Sequence, residues 1–232
     1  QYKTVTNGCY YHTDSELTTC LTGGYTISGP SKTGYTYGGY WSATNGGGTN
    51  YVNISNQFIN DIYQKLPSQI NSSYTDTITL YAKWTANTYT LTFNGNGATT
   101  NGTGTVTVTY GSNTLSPSTI TLPVNTKTVS FDMGSTGITK PDDIPVDLSL
   151  AGWYTDQTNG TLLLSNATTP VLQANVTNYT GAGGIWTKTS GATVYARWNN
   201  GSVTLPAISK TGHSCKWAEG SASGTQYAGG TN

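Results

Sequence analysis

The sequence predicts a mainly β protein, and three observations lead there. Thr, Ser, Asn and Gly make up 115 of the 232 residues; Thr favours strands, while Gly and Asn favour turns. Aliphatic residues are sparse, but 17 Tyr, 6 Trp and 3 Phe supply large apolar surfaces that a disordered chain lacks. Apolar and polar residues alternate in short runs, the period-two mark of half-buried strands.

The charge balance removes whole classes of function. Lys plus Arg is 10, Asp plus Glu is 10, and only 9% of residues are charged. A nucleic-acid partner is not expected, because displacing counterions from phosphates needs a basic surface. The longest apolar runs are three or four residues, against about 20 for a membrane span. The chain opens on Gln1 without a signal-peptide pattern, which reads as a mature or excised piece.

Internal repeats set the organisation. Thr77 to Trp84 reads TITLYAKW and Thr193 to Trp198 reads TVYARW. Alternation places Ile78, Leu80, Ala82 and Trp84 toward a core, and Thr77, Thr79, Tyr81 and Lys83 outward. A second element recurs three times: SKTGYTYGGYW from Ser31, LAGWY from Leu150 and SKTGHSCKW from Ser209. Each is followed by a Gly- or Asn-rich turn and a second short strand, as in a hairpin.

These motifs, with YTLTFNGNG at Tyr89 and VTVTYGS at Val106, resemble internalin B-type repeats, also called Listeria–Bacteroides repeats. The resemblance covers most of residues 25–232. It implies tandem β-grasp-like, ubiquitin-like modules, each a small sheet with one short helix. It also implies a stalk, spacer or adhesive segment of a bacterial surface protein, with no catalytic residues to transfer. The resulting division is a leader or partial repeat at 1–24, unit 1 at 25–86, unit 2 at 87–199, and the start of a third repeat at 200–232. Residues 118–148 are an insertion relative to a compact repeat.

The elements follow in order. In SNQFINDIYQKL, from Ser55 to Leu66, Phe58, Ile59, Ile62, Tyr63 and Leu66 fall on one helical face, with Ser55 as N-cap and Pro67 as the stop. Tyr89, Leu91 and Phe93, then Val106, Val108 and Tyr110, alternate as strands. Thr126 to Phe131 is a further alternating run. Pro141, Asp142, Asp143 and Pro145 read as a loop, since Pro removes ladder donors. Thr169-Pro170 would open a second short helix, turning Val171, Leu172 and Val176 toward the sheet. Trp84-Thr85-Ala86 and Trp198 to Gly201 read as short junctions, favouring a semi-rigid rod.

Candidate chemistry is thin. Cys9 and Cys20 flank a stretch that can fold as a hairpin near Asp14-Ser15; a structural disulfide suits an extracellular protein, and two reduced thiols are the alternative. Cys215 aligns with Tyr37, a core-type position, which predicts a buried free thiol. The only histidines, His12 and His213, lie in no nucleophile motif, so no enzyme, catalytic residue or cofactor is expected. Asp142, Asp143 and Asp147 match no EF-hand spacing and read as a solvated acidic loop rather than a metal site. Lys83 aligns with Arg197, which cannot form an isopeptide bond, so a cross-link at Lys83 is not expected.

Tyr10, Tyr11, Trp41 and Trp186, with Tyr40 and Trp153, are candidate glycan contacts, since exposed aromatic rings stack on sugars. The competing reading makes Tyr40 and Trp153 core residues of the repeated hairpin. The expected partners are neighbouring repeats, other copies of the chain, or host surface glycans and proteins. The expected setting is the bacterial cell surface. A third possibility is a filament built by pairing of strand edges.

Overall fold

The computed structural model describes residues 11–12, 20–21, 28–57, 59, 79–219 and 225–227. The chain forms two compact units, Gln1–Thr88 and Tyr89–Asn232. The regular structure of the described residues is mainly strand, and the only helical pieces among them are single 3-10 turns.

Unit 1 begins with two short strands, β1 (Tyr11–His12) and β2 (Cys20–Leu21), which pair antiparallel with His12 opposite Cys20. Its main sheet joins β3 (Tyr35–Ala43), β4 (Gly47–Val52) and β5 (Tyr81–Ala86) in the order β4-β3-β5. Both pairings are antiparallel. Asn45 and Gly46 take φ of 59° and 77° at the turn between β3 and β4, the conformation that Asn and Gly adopt most readily. The helix expected over Ser55–Leu66 falls mostly outside the described residues. Its expected cap is corrected: Asn53 Oδ1 accepts from the Ser55 and Gln57 amides at 2.9 and 3.0 Å. Asn56, at φ 63°, cannot be a first helical residue, so Ser55 sits in an Asx turn.

Unit 2 is built on a six-stranded sheet. Its strands are β6 (Thr88–Asn94), β7 (Thr105–Thr109), β8 (Leu115–Ser116), β11 (Leu150–Tyr154), β12 (Leu162–Leu164) and β13 (Ala192–Trp198). The order is β12-β11-β13-β6-β7-β8. The closing strand β13 runs parallel to the opening strand β6, with Ala192 opposite Leu91 and Tyr195 opposite Asn94. A separate hairpin, β9 (Asn125–Val129) and β10 (Ile144–Leu148), occupies the insertion. Near the chain end β14 (Trp217–Ala218) pairs antiparallel with β15 (Gln226–Tyr227).

The alternation read from the sequence matches the burial of unit 2. Leu91, Phe93, Val106, Val108, Val194 and Ala196 are buried, while Thr90, Thr92, Thr105 and Thr107 face out. Trp153, Leu163, Leu164, Leu172, Val176 and Trp186 complete one core. Each buried Leu or Val contributes about 1.5–3 kcal/mol relative to exposure.

Two expectations for unit 2 are corrected. No helix forms at Thr169-Pro170. Leu172 instead bridges Leu164 in an antiparallel pairing, and Val171 is 61% exposed. Leu172 and Val176 still reach the core, but from an irregular strap. Asn175 and Asn178 in that strap take φ of 57° and 66°, and Gly183 and Gly184 take 66° and 72°. A right-handed helix cannot pass through such residues. Thr180 holds the strap: its buried hydroxyl donates to the Gln173 carbonyl at 2.6 Å and accepts from the Val176 amide at 3.1 Å. The second correction is Pro145, which lies in β10 opposite Thr128 rather than in a loop. A two-stranded hairpin consists of edge strands, where a residue without an N–H is tolerated.

Candidate functional site

The most constrained feature is a trio of strands that occurs once in each unit. In unit 1, Tyr40 pairs with Val52 on one side and Ala82 on the other. In unit 2, Trp153 pairs with Leu164 and Ala196. One step along, Trp41 pairs with Asn50 and Tyr81, and Tyr154 pairs with Leu162 and Tyr195. The register shifts also coincide. Both trios have an irregularity just before the central aromatic and one just after it, and unit 1 adds a third between Trp41 and Ala43.

Glycine makes the first irregularity possible. Gly39 has φ 87° and Gly152 has φ 147°. A β-carbon at Gly39 would collide with the Val52 carbonyl oxygen; one at Gly152 would lie 2.5 Å from Leu162 Cδ1 and 3.1 Å from the Leu164 carbonyl oxygen. Each glycine lets the neighbouring strand close over the bulge.

A cation lies over an aromatic ring at matching places. Lys83 Nζ is 5.2 Å from the Trp41 ring centroid, and Arg197 Cζ is 4.2 Å from that of Tyr154. The alkyl stem of Lys83 runs past Gly38 and Gly46, where β-carbons would press on its Cδ at 3.0 and 2.6 Å. The aromatic interiors differ in make-up. Unit 1 clusters Tyr37 with Tyr40 at 5.5 Å and with Trp84 at 5.8 Å. Unit 2 sets Trp153 edge-on to Phe93 at 4.6 Å. Desolvation, helped by the nearby Tyr40, pushes the Tyr37 phenol up to about 12, and its buried hydroxyl has no partner.

The predicted glycan contacts do not come together. Trp186 is 0% exposed in the unit 2 core, so the expectation that it stacks on a sugar is corrected. Trp153 is 1% exposed, as the competing core reading required. Trp41 and Tyr40 are half-buried; Trp41 donates its Nε1–H to the Gly38 carbonyl at 2.9 Å. Tyr10, the side chain of Tyr11 and the partner of Cys20 in the expected disulfide, Cys9, lie outside the described residues. Cys215 is a free thiol but half-buried rather than buried, as is Tyr37 at the aligned position of the first hairpin.

The remaining polar groups are spread out. His213 is exposed, and its Nδ1 lies 2.9 Å from the Thr211 carbonyl oxygen. Asp143 pairs with Lys140 at 2.9 Å and accepts from Ser130 at 3.1 Å. Those contacts, the Lys140 hydrogen bond first, hold its carboxyl below the usual range. Asp147 accepts from Thr126 Oγ1 at 2.6 Å. Among the described residues, no group of three or more His, Cys, Asp or Glu gathers closely enough to hold a metal ion.

The sequence missed the shared bulges and stacked cations. Their signal was present: Gly39-Tyr40 and Gly152-Trp153 are glycine–aromatic steps, and Lys83 and Arg197 are the matched cations. Comparison with protein-family models, curated proteins and solved structures returns no match. The arrangement itself consists of two strand trios with matched pairings and a cation over a matched ring. What it repeats is a rigid, aromatic-filled strand trio.

Proposed function

We propose that this chain is a non-enzymatic extracellular repeat segment of a bacterial cell-surface protein, acting as a stalk or spacer that can also contribute to adhesion. The observation that carries the reading is the duplicated trio: the same pairing, two shared irregularities, and a Lys or Arg over the ring at the same position. A catalytic fold diverges around one site, whereas a spacer copies its framework and needs no unique site. The β-grasp-like architecture is part of the proposal. It is supported by the order of unit 2, in which opening and closing strands lie side by side and parallel at the middle of the sheet, with the Leu172–Trp186 strap covering the face where the resemblance places a helix.

The test is surface labelling. An antibody raised against the chain should stain intact cells of the source organism, and mild protease treatment of those cells should remove the signal. Staining that appears only after lysis would refute the assignment. One observation favours filament assembly as a second reading. In unit 1, β5 is an edge strand among the described residues, whereas its counterpart β13 is paired on both sides. Electron microscopy of purified chain decides this reading: end-joined polymers would support it, and dispersed single particles would end it.

A further inference from the structure

The β9–β10 hairpin is tied down along its whole length. At its base, Thr100 bridges Val124, the Thr99 amide donates to the Val124 carbonyl at 2.8 Å, and Thr99 Oγ1 exchanges hydrogen bonds with the Thr126 backbone at 2.9 and 3.1 Å. Asn125 is buried there; oriented with its oxygen toward Trp198 Nε1 at 3.2 Å, its amide nitrogen donates to the Gly97 carbonyl at 3.3 Å. The base of the hairpin is therefore fixed to the unit 2 core.

Its flank and tip meet the segment that begins the third repeat. A β-carbon at Gly201 would collide with Val146 and come within 3.0 Å of Leu148 Cδ2, so the chain leaving β13 lies directly on β10. Beyond β9, Phe131 is 7% exposed and its ring sits 4.6 Å from that of Trp217. Lys210 Nζ donates to the Thr136 carbonyl. The third copy retains the local geometry of the first. Gly212 takes φ 73° and Gly34 φ 77°, and the His213 and Tyr35 amides close the same turn onto Lys210 and Lys32 at 3.0 and 3.1 Å.

Trp217, aligned with Trp41, heads β14 and pairs with Tyr227. Its indole N–H donates to the Pro206 carbonyl at 2.8 Å, as that of Trp41 donates to the Gly38 carbonyl at 2.9 Å. Its ring partner is Phe131, on the inserted hairpin.

We propose that the β9–β10 hairpin is a docking brace for the following repeat, lending it the aromatic partner Phe131 and fixing its orientation on unit 2. The partner it fits is a repeat hairpin with an aromatic at the Trp217 position and a Lys at the Lys210 position. The proposal rests on the repeat reading for its identification of residues 200–232. Its test is separate from cell-surface labelling, so either can fail alone.

The experiment is nuclear magnetic relaxation of the tryptophan indole N–H groups in the whole chain, with trypsin cleavage in parallel. In the unaltered protein the Trp217 indole should be as rigid as those of Trp153 and Trp186. In F131A it should become mobile while Trp153 and Trp186 stay unchanged. Cleavage after Lys210 and Lys216 should accelerate about tenfold or more, because it follows the population of the undocked form. A Trp217 already mobile in the unaltered chain would overturn the brace, and so would an F131A variant in which Trp217 stays rigid. Loss of the Trp153 and Trp186 signals in F131A would also overturn it, since the hairpin would then support the core of unit 2 itself.

Discussion

Replacing Gly152 with Ala separates backbone strain from steric contact in the repeated bulge. At φ 147° an L-residue sits in a region that only Gly enters freely, costing about 1–3 kcal/mol. The added methyl also meets two neighbours. Leu162 Cδ1, at 2.5 Å, is the end of a half-buried side chain and can move off its rotamer for about 0.5–1.5 kcal/mol. The Leu164 carbonyl, at 3.1 Å, belongs to the paired strand and has little room to give. The sum for G152A is about 2–4 kcal/mol, or roughly 5–15 °C in the Tm of unit 2. Two reference variants calibrate the scale. Gly183, at φ 66° with open space where a methyl would sit, isolates the backbone cost at about 1–2 kcal/mol. Gly104, with neither strain nor neighbours, should be neutral or gain about 0.4–1 kcal/mol as Ala. Scanning calorimetry, resolving one transition for each unit, measures all three. A G152A loss no larger than that of G183A would refute the argument that the bulge is held by close strand approach.

Other outcomes follow from the aromatic clusters and the charges. Trp153→Ala should cost about 3–5 kcal/mol in urea denaturation. Trp153→Phe should cost clearly less than Trp153→Ala, because it keeps a ring against Phe93 and removes an indole N–H that is buried without a partner. Double-mutant cycles on Lys83 with Trp41, and on Arg197 with Tyr154, should each return about 0.5–1 kcal/mol of coupling; zero in both would show that the matched cations are packing stems only. Tyr37 should ionise near 12 in a spectrophotometric titration. Its raised value means the folded form holds the proton more tightly, so its contribution is intact below the ordinary value of 10.0 and is lost as pH rises toward 12. Asp143 and Asp156 run the other way. Lys140, and for Asp156 the Thr158 amide, hold them below the ordinary 3.8. Their contribution is present above that value and fades as pH falls below it, which carboxyl chemical shifts and an Asp143→Asn variant can follow.

How much was legible beforehand depended on whether local pattern or distant packing decided the outcome. Strands β6, β7 and β13 follow directly from their Thr alternation, because burial on one face imposes period two. The duplicated trio was visible as TLYAKW and TVYARW, since matched registers require matched residues. The strap over unit 2 was misread because Thr-Pro is a good local helix opening. Asn175, Asn178 and the two following glycines overrule it with left-handed backbone. Trp186 was misplaced because an aromatic beside Gly-rich sequence looks like a surface residue, whereas the strap folds it into the core. The role of residues 118–148 was beyond local reading: Phe131 and Trp217 are far apart in sequence, and neither shows a periodic pattern that would pair them.

The parallel pairing of β6 with β13 has a mechanical consequence. The chain enters the six-stranded sheet along β6 and leaves it along β13, and both point the same way. Tension applied through Thr88 and Asn199 therefore slides the two strands lengthwise past each other. The pairs from Leu91–Ala192 to Asn94–Tyr195 share that load together and must give way together. In a terminal antiparallel hairpin the same pull would open the ladder one rung at a time. Side chains reinforce the sliding plane: Asn96 donates to the Ala196 carbonyl at 2.9 Å, and Trp198 Nε1 to the Gly95 carbonyl at 3.2 Å. On the proposed stalk reading, a segment joined this way would transmit force along its backbone without lengthening.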